Sequence, residues 1–251
     1  MDNWSAVEPG SEMRREFAWI LVILLAGTGS LLGQDERTGY EIGVYAAGQD
    51  WKARTFQIAP APALTPIALG FQYKHNRIGY GIRANFLSQG HWGGELSYSY
   101  QRNALSLTRQ AFTPVTLGGG IHHVFYNEVF YPVRYGGPVM PFVTGGIGLA
   151  AYHLNSKTLS DAANPAVYGL GSLKRNEEKL ALNYGAGVKS HIAPHVGIRA
   201  DFRHIFTDVP TWGLPGQPPV SAQLPVPPQG KLQNFEFSIG IYFRGMAEAF
   251  R

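Results

Sequence analysis

The sequence predicts an all-β fold, an eight-stranded antiparallel up-and-down barrel that crosses a membrane. Three observations lead there. Residues 179–192 and 196–206 alternate apolar and polar side chains along their whole length. Both runs exceed the ~5–6 residues of an ordinary globular strand and meet the ~9–11 that a tilted strand needs to cross a bilayer. Further segments of the same kind follow one another, with connections that alternate long and short. Charged residues make up only 15% of the chain, against ~25% in a typical soluble domain.

The first strand is 40–49, with Tyr40, Ile42, Val44 and Ala46 on one face and Glu41 and Gly43 on the other. A long excursion, 50–77, is broken by Pro60, Pro62 and Pro66; within it 67–73 alternates again, as an extension of the wall or an extra strand. In the second strand, 78–87, Ile78, Tyr80, Ile82 and Phe86 point outward while Arg83 and Asn85 point inward. A short turn at 88–91 leads to 92–102, where Leu96, Tyr98 and Tyr100 oppose Glu95, Ser97 and Ser99. A long connection, 103–120, precedes 121–131, the least regular strand. It carries aromatics in both registers, and the reading places Glu128 inside.

A turn around Gly136-Gly137-Pro138 leads to 141–153, where Val143, Ile147 and Leu149 oppose Thr144, Gly146 and Gly148. The polar stretch 154–178 precedes the central hairpin, whose arms are joined by Ala193-Pro194-His195. Residues 207–234 are too rich in proline for regular structure. The closing strand, 235–243, sets Phe235, Phe237, Ile239, Ile241 and Phe243 against Glu236, Ser238 and Gly240. Eight strands with alternating connections place the short turns on the periplasmic side and the long loops outside the cell.

The amino terminus supplies the route. Met13-Arg14-Arg15 is a basic start, 17–25 an apolar core, and Ala26, Gly27, Gly29, Ser30 and Gly33 are small residues near a cleavage point. This is the pattern of a secretory signal peptide. Residues 1–33 are therefore expected to be leader and signal peptide, with Met13 an alternative start, and 34–251 the barrel domain with a short C-terminal extension. The chain has no cysteine, so disulfides, cysteine metal sites and a lipoprotein anchor are excluded. The net charge of +4 is spread along the chain, which argues against nucleic acid as a partner. A mean hydropathy of −0.11 argues against a helical membrane protein.

The inward charges expected from this register are Glu41, Arg83, Glu95, Glu128, Lys189, Arg199, Asp201, Arg203 and Glu236. An eight-stranded barrel is just wide enough for side chains to fill it, and buried charges are costly unless they pair. The expectation is a lumen blocked by paired charges, a structural ion network rather than an aqueous pore. A lipocalin-like carrier has the same pattern turned inside out. Tyr40, Trp92, Tyr100, Tyr131, Phe142, Tyr152, Phe206, Trp212, Phe235 and Phe243 fall near strand ends, the level at which aromatic girdles meet the membrane interfaces.

The segments 77–86 leading into 92–100, 141–152, 183–206 and 234–243 resemble the small outer-membrane β-barrel family typified by the membrane domain of outer membrane protein A. The resemblance implies the cell outer membrane as location, with outer-membrane lipid and the barrel-assembly machinery as partners. The family usually ends on an aromatic residue; here Phe243 is followed by eight further positions, 244–251. The residues that catalysis would need are missing. Lipid A deacylase barrels, which this chain is similar to in size, carry a His-x-Ser pair; here His204 is followed by Ile205 and Phe206, so the nucleophile is missing. His122 and His123 are adjacent on a strand and point apart, so they do not chelate together. No catalytic, cofactor or metal site is expected. The function expected is a non-enzymatic barrel for envelope structure or loop-mediated binding of an unspecified ligand; the alternatives are a lipid-modifying barrel enzyme and the ligand carrier.

Overall fold

The computed structural model describes residues 39–51, 70–73, 78–87, 90–108, 115–133, 138–163, 173–210, 212 and 231–246. The expected signal peptide and most of the C-terminal extension lie outside them, as do most of the proline-rich 207–234 and all of 52–69. Nine strands form one antiparallel sheet: β1 (Gly39–Trp51), β2 (Gly70–Tyr73), β3 (Ile78–Leu87), β4 (Trp92–Thr108), β5 (Val115–Phe130), β6 (Val139–Leu154), β7 (Asn176–Ala193), β8 (Val196–Asp208) and β9 (Lys231–Met246). A helix, α1 (Ser156–Ala163), follows β6.

The sheet closes on itself through β4–β5 at one place and β1–β9 at another, so the wall is an eight-stranded up-and-down barrel. Closure removes the open edges that an isolated sheet presents. The ninth strand does not add a position to the wall. Tyr73 pairs with Leu105 and Tyr80 with Tyr100, so β2 and β3 lie one after the other along the same partner. Of the alternating stretch 67–73, the described part Gly70–Tyr73 is thus a wall extension and not an extra barrel strand; 67–69 lie outside the described residues.

The strands outrun the apolar alternation at the end that carries the long loops. β4 continues to Thr108 and β5 begins at Val115, pairing from Trp92↔Phe130 to Leu107↔Val115. Most of the connection expected at 103–120 is therefore hairpin, since ladder hydrogen bonds need no apolar face. The polar 154–178 likewise contains α1. Asn155 caps that helix, its Oδ1 accepting the Thr158 N–H at 2.8 Å. Thr158 Oγ1 in turn donates to the Gly118 carbonyl on β5 at 3.0 Å. At the opposite end β7 and β8 are joined by Pro194 and His195 alone. The Tyr131 N–H donates to the His91 carbonyl at 2.7 Å, tying two neighbouring turns together. Among the described residues no helix is long and apolar enough to cross a membrane; the crossing is made by strands.

Alternation along each strand sorts side chains to the two faces. In β1, Glu41, Tyr45, Ala47 and Gln49 are buried while Tyr40, Ile42 and Val44 are exposed. The outer face is mostly apolar: Ile82, Phe86, Val143, Leu180, Phe202, Phe237, Ile239 and Ile241 are exposed, Phe237 to 60%. In water so continuous an exposed apolar surface is unstable; facing lipid it is the apolar band of a membrane barrel. The carrier alternative, which needs these groups inside, is excluded by their exposure.

Candidate functional site: the buried ion network

The middle of the barrel is built from the inward positions of β1, β3, β4, β7, β8 and β9. The buried Arg, Lys, Asp and Glu side chains among the described residues are Arg83, Lys189, Arg199 and Arg203, against Glu41, Glu95, Asp201 and Glu236. Four cations meet four anions. Asp201 takes three guanidinium groups: Arg83 Nη1 at 2.5 Å, Arg199 Nε at 3.0 Å and Arg203 Nε at 2.9 Å. Glu95 takes Arg199 Nη1 and Arg203 Nη2, both at 2.6 Å. Arg199 and Arg203 therefore bridge both acids, and the five residues form one connected unit spanning β3, β4 and β8.

Two smaller pairs extend it. Lys189 Nζ lies 2.5 Å from Glu41 Oε2 and donates to Tyr131 Oη at 2.7 Å. Glu236 accepts from Gln49 Nε2 at 2.6 Å, and Gln49 Oε1 accepts from Asn234. Neutral amides complete the shell: Asn127 donates to Glu95 at 3.0 Å and Asn183 to Asn127 at 2.7 Å. Aromatic rings take up the remaining cation surface. The Arg83 guanidinium lies 3.8 Å from the Tyr45 ring centre and that of Arg199 4.2 Å from Phe142, within cation–π range. The inward glycines make room: a Cβ on Gly187 would sit 2.5 Å from Phe142 and 2.6 Å from Asp201, and one on Gly81 would enter the Tyr45 ring.

Above and below lie apolar clusters, with the buried polar side chains of Gln101, His123 and Thr207 among those at the extracellular end. At the periplasmic end Val129, Tyr131, Met140 and Phe142 form a buried cluster. At the other end Ile121, Phe125, Tyr152, Ile205 and Leu232 are buried, and Trp212 packs edge-on against Tyr152 at 6.1 Å. Trp212 is only 5% exposed and has φ 56°, a left-handed conformation unfavourable for a bulky residue. Its N–H donates to the Glu177 carboxylate and its carbonyl accepts from the Lys174 N–H.

Eight of the nine expected inward charges lie in this interior. Glu128 does not. It is exposed on the outer wall, where its Oε1 accepts from Tyr126 Oη at 2.8 Å. The aromatics on both faces of β5 hide its period; the register decides it, because Asn127 faces Glu95 across the ladder. Asn127 is the inward residue that the sequence reading missed. Four aromatics expected in the girdle, Tyr131, Phe142, Tyr152 and Trp212, are also internal. His123 points inward, with Nδ1 3.5 Å from Ser99 Oγ, and His122 outward, with Nδ1 2.8 Å from Tyr98 Oη. His204 is enclosed on the outer wall by Phe206 and Phe235, ring centres 4.0 and 4.2 Å away. Among the described residues no three His, Cys, Asp or Glu side chains converge as a metal site.

An eight-stranded barrel with a lipid-compatible exterior and an ion-paired interior defines a small integral membrane protein of the β type. The family model for the outer membrane protein beta-barrel domain matches residues 19–243; the chain belongs to that family, and its location is the outer membrane. No curated protein matches it. Among solved structures it is similar to outer membrane protein W of E. coli, at 17% identity over 80% of this chain and 96% of that one, with a TM-score of 0.41. It is similar to Ail, the attachment invasion locus protein of Yersinia pestis, at 14% identity over 84% and 100%, TM-score 0.44. The outer membrane protein AlkL, solved in lipid bilayers, matches at 12% identity over 100% of each chain, TM-score 0.49.

Proposed function

We propose that this protein is a closed, non-conducting barrel that acts without catalysis, as a structural element of the envelope or through ligand binding by its long extracellular loops. The observation that supports this best is the filling of the interior. The five-residue unit of Arg83, Glu95, Arg199, Asp201 and Arg203 crosses the lumen between β3, β4 and β8, and further buried side chains, apolar and polar, fill the space on either side of it. Water or solute would have to break several buried, mutually paired charges to pass, and stripping one partner from such a pair is strongly unfavourable. For catalysis, His204 lies between Phe206 and Phe235 and hydrogen-bonds the Tyr184 hydroxyl at 3.0 Å, with Phe206 where a His-x-Ser pair has its serine. Residues 1–33 act as leader and signal peptide, and the barrel-assembly machinery receives the exported chain.

Planar-bilayer recording of the refolded chain tests this. No steady single-channel current above the leak of the lipid is expected. Large, steady unitary currents would overturn the blocked-lumen reading.

A further inference from the structure

Glu128 breaks the apolar band of the outer wall, and its surroundings are as unusual as its charge. Its two cross-strand partners are Gly94 on β4 and Gly145 on β6. Neither partner carries a side chain of its own: the Tyr126 ring lies over Gly94 on the β4 side, while the β6 side is left open. A Cβ at Gly145 would meet only the Asn183 carbonyl at 3.8 Å, so the space beside the carboxylate is open. The result is a notch of about 350 Å³ on the outer face, lined by Trp92, Glu128, Phe130, Val143, Thr144 and Gly145. That volume lies at the lower end of the ~300–1,000 Å³ typical of small-molecule sites. Trp92 and Phe130 close one side as a tilted pair with ring centres 4.9 Å apart. Tyr126 fixes the carboxylate by donating to Oε1 at 2.8 Å.

The height of the notch follows from the strands. Trp92 opens β4 and Phe130 closes β5, so Glu128 sits one turn of the pleat above the periplasmic rim. An acidic group is better tolerated there than at the midplane. A carboxylate beside two aromatic rings is the chemistry that recognises an ammonium group: the oxygens accept its N–H donors and the ring faces attract its charge. Val143, which lines the notch, and the nearby Val139 are exposed to 47% and 55%, an apolar surface suited to an acyl chain.

We propose that this notch binds the primary ammonium of a phosphatidylethanolamine-type phospholipid in the periplasmic leaflet. Glu128 accepts from the ammonium, Trp92 and Phe130 flank it, and the gap over Gly145 admits the headgroup.

The test is native mass spectrometry of the full barrel released from detergent, with phosphatidylethanolamine, phosphatidylcholine and phosphatidylglycerol of identical acyl chains present in equal amounts. The wild type is expected to retain phosphatidylethanolamine about tenfold over phosphatidylglycerol, and over phosphatidylcholine, whose quaternary nitrogen has no N–H to donate. Glu128→Gln is expected to abolish the preference, and Gly145→Leu, which fills the gap, to do the same. Both substitutions lie on the outer wall, and heat-modifiable gel mobility checks that each variant is folded; if one fails, the other carries the comparison. An unchanged preference in a folded variant overturns the proposal, as does equal retention of the three lipids by the wild type. A lipid-free dimer lost in Glu128→Gln would also overturn it, assigning the notch to a second copy of the chain.

Discussion

The middle of the lumen and its extracellular end are both buried, for opposite physical reasons. In the middle, Arg83, Glu95, Arg199, Asp201 and Arg203 are held by charge. Each tolerates burial only because another is there. At the extracellular end Ile121, Phe125, Ile205, Leu232 and Trp212 are held by shape and by exclusion of water. There the tolerance to change is set by volume. One region is governed by stoichiometry, the other by packing. A substitution that is mild by size is severe in the first, while in the second only the lost methylenes count.

The sharpest way to break the ionic region is Glu95→Ala. It strips Arg199 and Arg203 of a shared partner at once, and a stability loss of about 3–5 kcal/mol is expected, measured by urea unfolding in detergent micelles or by yield of the heat-modifiable form. A loss below 1 kcal/mol would mean that water already solvates this layer. The outer wall gives the next largest effect. Ile239 is 58% exposed on the lipid face of β9, and Ile239→Arg is expected to cost about 2–4 kcal/mol if it lies near the midplane. Membrane yield equal to the wild type would reverse the orientation of the wall. The packed end gives the smallest. Ile205→Val removes one methylene from the apolar layer and is expected to cost about 0.5–1.5 kcal/mol, read from the same unfolding curves. A loss as large as that of Glu95→Ala would erase the distinction between the two regions.

How much of this was legible in the sequence depended on which face of a strand carried the signal. β7 and β8 show clean alternation and a proline turn, and the structure pairs them from Ala181↔Thr207 to Ala193↔Val196, with one irregularity between His191 and Ala193. β5 misled, because Phe125 and Tyr131 face inward while Tyr126 and Phe130 face outward; apolarity no longer marks a side, and Glu128 was assigned to the wrong one. The identities of the ion pairs were not legible at all. Arg83 and Asp201 are 118 positions apart and meet only once closure and stagger bring β3 opposite β8. Trp212, within a proline-rich stretch, carries no pattern that announces a place over the mouth. The extensions of β4 and β5 were hidden for a related reason, since backbone pairing outside the lipid makes no demand on side-chain periodicity.

The join between β1 and β9 has a consequence for biogenesis. Thirteen successive pairs, from Gly39↔Met246 to Trp51↔Asn234, link the first strand to the last. Until β9 joins, β1 has one flank without its partner and exposes a template for promiscuous strand addition. Such a chain cannot mature progressively from one end. The seam forms only once the last strand has arrived, so sealing the wall is a late event.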